Sequence, residues 1–166
     1  FESSSGTVVA RYISVGQLEC AAPPSAGSGA RYVEVSLNGQ QFTSSGVSFT
    51  YRPAPAVSSV WPIRGVSEGG TPVTVLGSGF SSDAEATGAL VCRFNTSTVP
   101  AVYVSESAIV CNSTRAPRGY VPVEVSTNGR EFTSDGVLYE HVSVVVAGIT
   151  PWTGPELGGT VVTIGG

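Results

Sequence analysis

Short runs rich in β-branched residues recur along this chain: "PVTVLGSGF", "ALVCRF", "VPAVYV", "AIVCN" and "YVPVEVS". Clusters of Gly, Ser, Asn and Pro separate them, and no window carries a helical period. Each run has strand length, and several strands at intervals of about 8 to 15 residues with no helix predict an all-β antiparallel sandwich rather than a helical or mixed domain. Asn-Gly stands between alternating runs twice, at Asn38-Gly39 and Asn128-Gly129. That dipeptide predicts hairpin turns of type I′, whose two central residues both need positive φ.

The two hairpin signals belong to a longer internal repeat. "YVEVSLNGQQFTSSGVSF" returns as "VPVEVSTNGREFTSDGVLY", so that Val33 matches Val123 and Asn38 matches Asn128. "VWPIRGVSEGGTPVTVLGSG" returns as "ITPWTGPELGGTVVTIGG", placing Pro151 on Pro62 and Gly158 on Gly69, and "VGQLECAAP" aligns Cys20 with Cys111. Three matches in one order define a period of about 90 residues, the spacing of successive small domains. The expected organisation is one complete unit at 54–141, the C-terminal half of another at 1–53, and the N-terminal strands of a third at 142–166.

Composition narrows the class. The 166 residues hold 21 Gly and 11 Pro, and only 12% are charged, so the chain has the hydrophobes of a folded β protein and not the charge of a disordered one. The net charge of −4 and eight scattered Lys and Arg give no basic footprint for a phosphate backbone, so nucleic acid is not an expected partner. No apolar run reaches the roughly 18 residues that a membrane helix needs, and no membrane contact by this segment is expected. The absence of Met reads as a processed or partial chain.

Four motifs in one order now resemble a known family: "SSVWPIRGVSEGGTPVTVLGSGF", "VCRF", "SAIVCNSTRAP" and "VEVSTNGREFTSDGVLYE". They are similar to the immunoglobulin-like TIG domain, also called IPT, of plexins, of the hepatocyte-growth-factor receptor group and of other surface proteins. The resemblance covers roughly Ala54 to His141. It implies a seven-strand immunoglobulin-like sandwich, which the repeat sets in tandem, and usually a role in adhesion or binding rather than catalysis, although fold analogy alone does not fix function. On this frame Phe1 stands where Phe94 stands in the complete unit, and the third unit runs to the equivalent of Gly77.

The frame gives the three cysteines roles. Cys92 and Cys111 fall on neighbouring predicted strands and are expected to form a disulfide, worth about 3 kcal/mol in the chain-entropy picture. The competing reading is a pair of buried thiols in a reducing compartment. Cys20, equivalent to Cys111, is unpaired within the chain; its expected partner would stand two residues before Phe1, with an intermolecular bridge as the alternative. Two sequons, Asn95-Thr96-Ser97 and Asn112-Ser113-Thr114, lie just beyond Cys92 and Cys111 and mark candidate N-glycosylation sites. Glycans are thus expected partners.

Other chemistry is sparse. The single histidine, His141, ends the last strand of the complete unit and reads as a solvent-facing linker residue. Asp83, Glu85, Glu106 and Asp135 fall on different predicted loops, so no Ca²⁺ site is expected. "GSGF" and "EGGT" precede no predicted helix and serve as turns, not as phosphate cradles. Trp61 and Trp152 flank Pro62 and Pro151, where packing at inter-unit junctions is expected, with sugar stacking as the lesser alternative. No enzyme activity, cofactor or metal is expected.

The link Tyr51-Arg52-Pro53-Ala54-Pro55 is short and stiffened by proline, which argues for a semi-rigid rod. The leading expectation is a structural or adhesive module of an extracellular or cell-surface tandem-repeat protein, with neighbouring copies of the repeat as partners. Either one chain runs through successive units, or the strands of 142–166 in one molecule complete the half-sandwich of 1–53 in the next, as open edges allow. The rivals are a ligand-binding receptor ectodomain and an accessory domain of a secreted carbohydrate-active enzyme.

Overall fold

The computed structural model describes residues 7–166. Phe1, whose alignment on Phe94 was expected from the repeat, lies outside the described residues. The chain divides into two compact units, 1–54 and 55–166.

In the first unit β1 (Arg11–Ser14) pairs antiparallel with β2 (Gln17–Glu19), and β3 (Gly29–Tyr32) pairs with β4 (Ser48–Tyr51). These ladders are amphipathic without a covered face. Among the described residues of this unit only Pro23 is buried, its carbonyl accepting a 2.7 Å hydrogen bond from the Tyr51 hydroxyl. Val15 and Leu37 are almost fully exposed.

The second unit contains β5 (Ala56–Trp61), β6 (Arg64–Val66), β7 (Pro72–Ser78), α1 (Ser82–Ala86), β8 (Val91–Phe94), β9 (Ser97–Ser105), β10 (Ala108–Asn112), β11 (Gly119–Ser126), β12 (Leu138–Val142), β13 (Gly148–Thr150) and β14 (Thr163–Gly165). Eight strands join in the order β5-β7-β10-β9-β8-β11-β12-β6, antiparallel except for β6 on β12. The long β9 belongs to both layers: Ser97 to Pro100 pair with β8, and Ala101 to Ser105 pair with β10. The two halves of the sheet thereby fold face to face as a sandwich. Alternate residues of each strand fill the space between them, so Val73 and Val75, Cys92 and Phe94, Val123 and Val125 are buried. The family resemblance implies seven strands; the eighth, β6, exists because the chain after Pro62 returns parallel beside β12.

Two sequence expectations change here. A helix does form: Ser81 caps it, its Oγ accepting from the Ala84 amide at 3.2 Å. Five residues are too few to show a helical period, and "GSGF" therefore does precede a helix. Gly77 permits the close pairing of β5 with β7, because a Cβ there would collide with the backbone carbonyl of Ala56.

The chain enters and leaves this sandwich at opposite ends. Ala56 lies opposite Ser78, the last residue of β7, beside the β9–β10 turn. At the far end Val142 pairs with Val66, and its carbonyl accepts from the Ser67 amide at 2.9 Å.

Candidate functional site

Cys92 and Cys111 form a disulfide with their Cα atoms 6.4 Å apart. They stand not on neighbouring strands, as the sequence suggests, but on β8 and β10, with β9 between them in the hydrogen-bonded order. Across a flat sheet two strand spacings are about 9.6 Å. The shorter distance arises because β9 changes layers between Val99, opposite Cys92, and Ala101, opposite Cys111, which tips both side chains into the core. Cys20 is a free, exposed thiol.

The Asn-Gly positions are chain reversals, but not type I′ turns. Gly129 takes φ +73°, and among non-glycine residues only Asn95 has positive φ in the described chain. Asn128 instead uses its side chain, Oδ1 accepting from the amides of Arg130 (3.0 Å) and Glu131 (3.1 Å), while Ser126 Oγ accepts from Gly129 at 2.9 Å. This Asx-type loop satisfies the backbone amides locally and so replaces the tight hairpin. Asn38, Gly39 and Ser36 repeat it, with Oδ1 accepting at 3.0 and 3.1 Å.

The duplication extends to strand register. Arg11↔Glu19 and Tyr12↔Leu18 reproduce Val102↔Val110 and Tyr103↔Ile109, with an irregularity in both ladders before the turn. Gly29↔Tyr51 reproduces Gly119↔His141. Ile149↔Ile164 and Thr150↔Thr163 reproduce Val60↔Val75 and Trp61↔Thr74. Gly166 approaches the carbonyl of Val145 as Gly77 approaches that of Ala56. The ladders within 11–51 and 148–165 thus carry the registers of the matching ladders within 55–141, with one face uncovered.

His141 is not a linker residue. It is fully buried at the inner face of β12, because residues 139 and 141 share strand parity and β6 covers the outer edge of β12. Neither ring nitrogen has a hydrogen-bond partner, nor does the buried hydroxyl of Tyr139. Asp83 and Glu85 share the first turn of α1 instead of occupying separate loops. Asp135 Oδ2 accepts from the Val57 amide at 2.7 Å, tying the last loop to the start of β5, and the Glu106 carbonyl accepts from Phe80. No group of three or more His, Cys, Asp and Glu that could hold a metal occurs among the described residues. No helix among them is long and apolar enough to cross a membrane.

Trp61 projects outward from β5, 72% exposed, and Trp152 is 85% exposed. Pro62 and Pro151 follow cis peptide bonds at equivalent places. Asn95 is at the exposed apex of the β8–β9 turn, and Asn112 is exposed at the end of β10. An arrangement that composition did not reveal lies on the outer face of β8 and β11: Arg93 pairs with Glu124, its Nε donating at 2.8 Å, and its guanidinium sits 3.9 Å above the Phe132 ring. Opposite charges at matching parity on two predicted strands were its only sequence signal.

The family model for the IPT/TIG domain matches residues 55–141. Rat plexin-A3 is 30% identical over 118 residues, 68% of this chain and 6% of that protein. Mouse fibrocystin-L is 37% identical over 114 residues, 66% of this chain and 3% of that protein. The chain therefore spans only a small part of the relatives that it matches. The solved extracellular region of plexin A4, domains 1 to 10, overlaps 87% of this chain and 13% of its own length, with a TM-score of 0.50 at 21% identity, a likeness of fold. The match over the whole braced sandwich makes the conclusion plain: the chain belongs to the IPT/TIG domain family.

Proposed function

We propose that this chain is a structural and adhesive module of an extracellular or cell-surface protein, in which IPT/TIG units follow one another head to tail as a semi-rigid rod. The observation that carries the reading is the placement of Ala56 and Val142 at opposite ends of one sandwich, since a chain that crosses each domain lengthwise stacks its domains in line. The register-level duplication supports it, as do the extracellular plexin region among the similar structures and the Cys92–Cys111 bridge, which belongs to an oxidising compartment. In this reading the open faces of 7–52 and 145–166 are covered by the missing strands of adjoining repeats, either along one chain or from a second copy.

Receptor-type ectodomains are the second reading, favoured by the similarity to plexin-A3. Negative-stain microscopy of the native protein separates the two. A rod whose domains recur at not less than about 30 Å, the length of a nine-residue strand, is expected; a compact ectodomain sinks the rod. A denaturing gel run with reductant, which cuts any disulfide between copies, then distinguishes one continuous chain from copies joined by donated strands.

A further inference from the structure

We infer that Asn95 and Asn112 carry N-linked glycans, which form a collar at the end of the sandwich from which the chain leaves. The inference rests on the extracellular reading above, and its strongest support is a buried hydroxyl that no other group of the protein engages. Thr114, the third residue of the second sequon, has its Oγ1 buried and without a hydrogen-bond partner. A buried unsatisfied hydroxyl is unfavourable, and apolar replacement is tolerated. The repeat agrees: on either side of the one-residue length difference that follows Cys20, the position equivalent to Thr114 is a proline, Pro23 or Pro24, and that of Asn112 is an alanine, Ala21 or Ala22. The equivalent strand end of the first unit is thus built without either residue of the pair. Glycosyl transfer reads Asn-x-Thr in the extended chain, so a hydroxyl that nothing engages after folding is accounted for by use before it.

The folded positions accept what transfer would leave there. Asn112 is exposed beyond the bridged Cys111, opposite Pro72. Asn95 and Thr96 form the two-residue turn closed by the Phe94↔Ser97 pair, and all three residues of this sequon are exposed. Asn95 also has a conformational reason to be asparagine, its φ of +55°, but that reason does not extend to Ser97. Both sites point the same way. β9 starts at Ser97, next to Asn95, and β10 runs antiparallel to it toward Asn112. Gly119, paired with His141, places the end of β12 on that side as well. The sugars would then surround the junction with the following unit and leave the flat faces of the sheets free.

The test is the full chain 1–166 behind a cleavable secretion signal in a glycosylating eukaryotic cell, mapped by mass spectrometry after peptide N-glycosidase. Conversion of both Asn95 and Asn112 to aspartate is expected. Asn112→Gln and Thr114→Ala should each remove the second glycan alone, and Thr114→Ala should not lower the melting temperature of the enzymatically deglycosylated chain. An unmodified Asn95 or Asn112 overturns the inference, whether the chain is secreted or retained in the lumen. Native protein at the cell surface with either asparagine bare overturns the collar and leaves the extracellular reading intact; native protein in the cytosol overturns both.

Discussion

His141 meets Tyr139 edge to face inside the sandwich, with ring centroids 5.1 Å apart and planes at 79°. Phe49 and Tyr51, their equivalents, adopt the same relation at 5.0 Å and 78°. The aromatic ladder is therefore a property of the repeated strand itself, since in the first unit it forms without the opposing layer. Phe94 extends the ladder in the complete unit, 5.5 Å from Tyr139. Aromatic pairs of this geometry add about 0.5–1.5 kcal/mol beyond their buried area.

The Tyr139 hydroxyl adds nothing to that ladder. It is buried without a partner, and Phe49, its equivalent, makes the same edge-to-face pair with a plain ring. Tyr139→Phe should leave stability unchanged or raise it by about 1 kcal/mol, because a desolvated, unpaired hydroxyl is removed. A Cβ on Gly65 would run into that same hydroxyl and into Thr71. Gly65→Ala should accordingly destabilise by about 2 kcal/mol, with part of the loss restored in the double variant with Tyr139→Phe. Denaturant melts of the four proteins give the coupling; strict additivity would contradict this contact.

The same residues show what a sequence reveals of this fold and what it does not. The strand parity was legible because it depends on local alternation, and the Cys92–Cys111 pair because both cysteines fall on predicted strands of one unit. The burial of His141 was not, because it depends on β6 returning parallel beside β12, a pairing that no local signal announces. The Asn128 loop was misread for a related reason. Asn-Gly favours a two-residue turn, yet Ser126 and Thr133 offer hydroxyls to the Gly129 and Val125 amides and stabilise a wider one. Helix α1, with five residues, is shorter than the period by which helices are recognised.

Removing the disulfide should weaken the complete unit without unravelling its topology. Cys92 and Cys111 are 19 positions apart, a closure worth about 3 kcal/mol. The Cys92→Ala, Cys111→Ala double variant should lose about that much in urea unfolding and keep its circular-dichroism spectrum. A loss below about 1 kcal/mol would mean that the core holds β8 against β10 unaided.

Gly77 tests the edge of the sandwich. The clash awaiting a Cβ there involves backbone, the Ala56 carbonyl, and backbone cannot rotate away as a side chain can. Gly77→Ala should cost about 2–3 kcal/mol and loosen β5 from β7. Hydrogen exchange is expected to accelerate at the paired amides of 56–61 before it does in β11. Uniform acceleration over both layers would argue instead for global destabilisation.

Cys20 reports whether the uncovered ladders of the first unit find a covering layer, as the proposed head-to-tail array requires. In the first unit Leu18, Val35 and Phe49 are exposed, whereas Ile109, Val125 and Tyr139, which match them in the repeat, are completely buried. A covering layer equivalent to β5, β7 and β8 would bury all three and, by the pattern of Cys92 with Cys111, would place a second sulfur beside Cys20. The isolated 1–166 chain presents Cys20 as a free, exposed thiol, so it should take up one maleimide per molecule. In the native array the same residue should take up none until a reductant is added, because it is held in an inter-strand disulfide within a closed core. Reductant-dependent labelling also distinguishes covalent pairing from simple burial: a merely buried thiol would react on unfolding alone. Ready labelling of Cys20 in native, unreduced material would show that residues 7–52 remain an open half, and the head-to-tail completion of the sandwich would have to be abandoned.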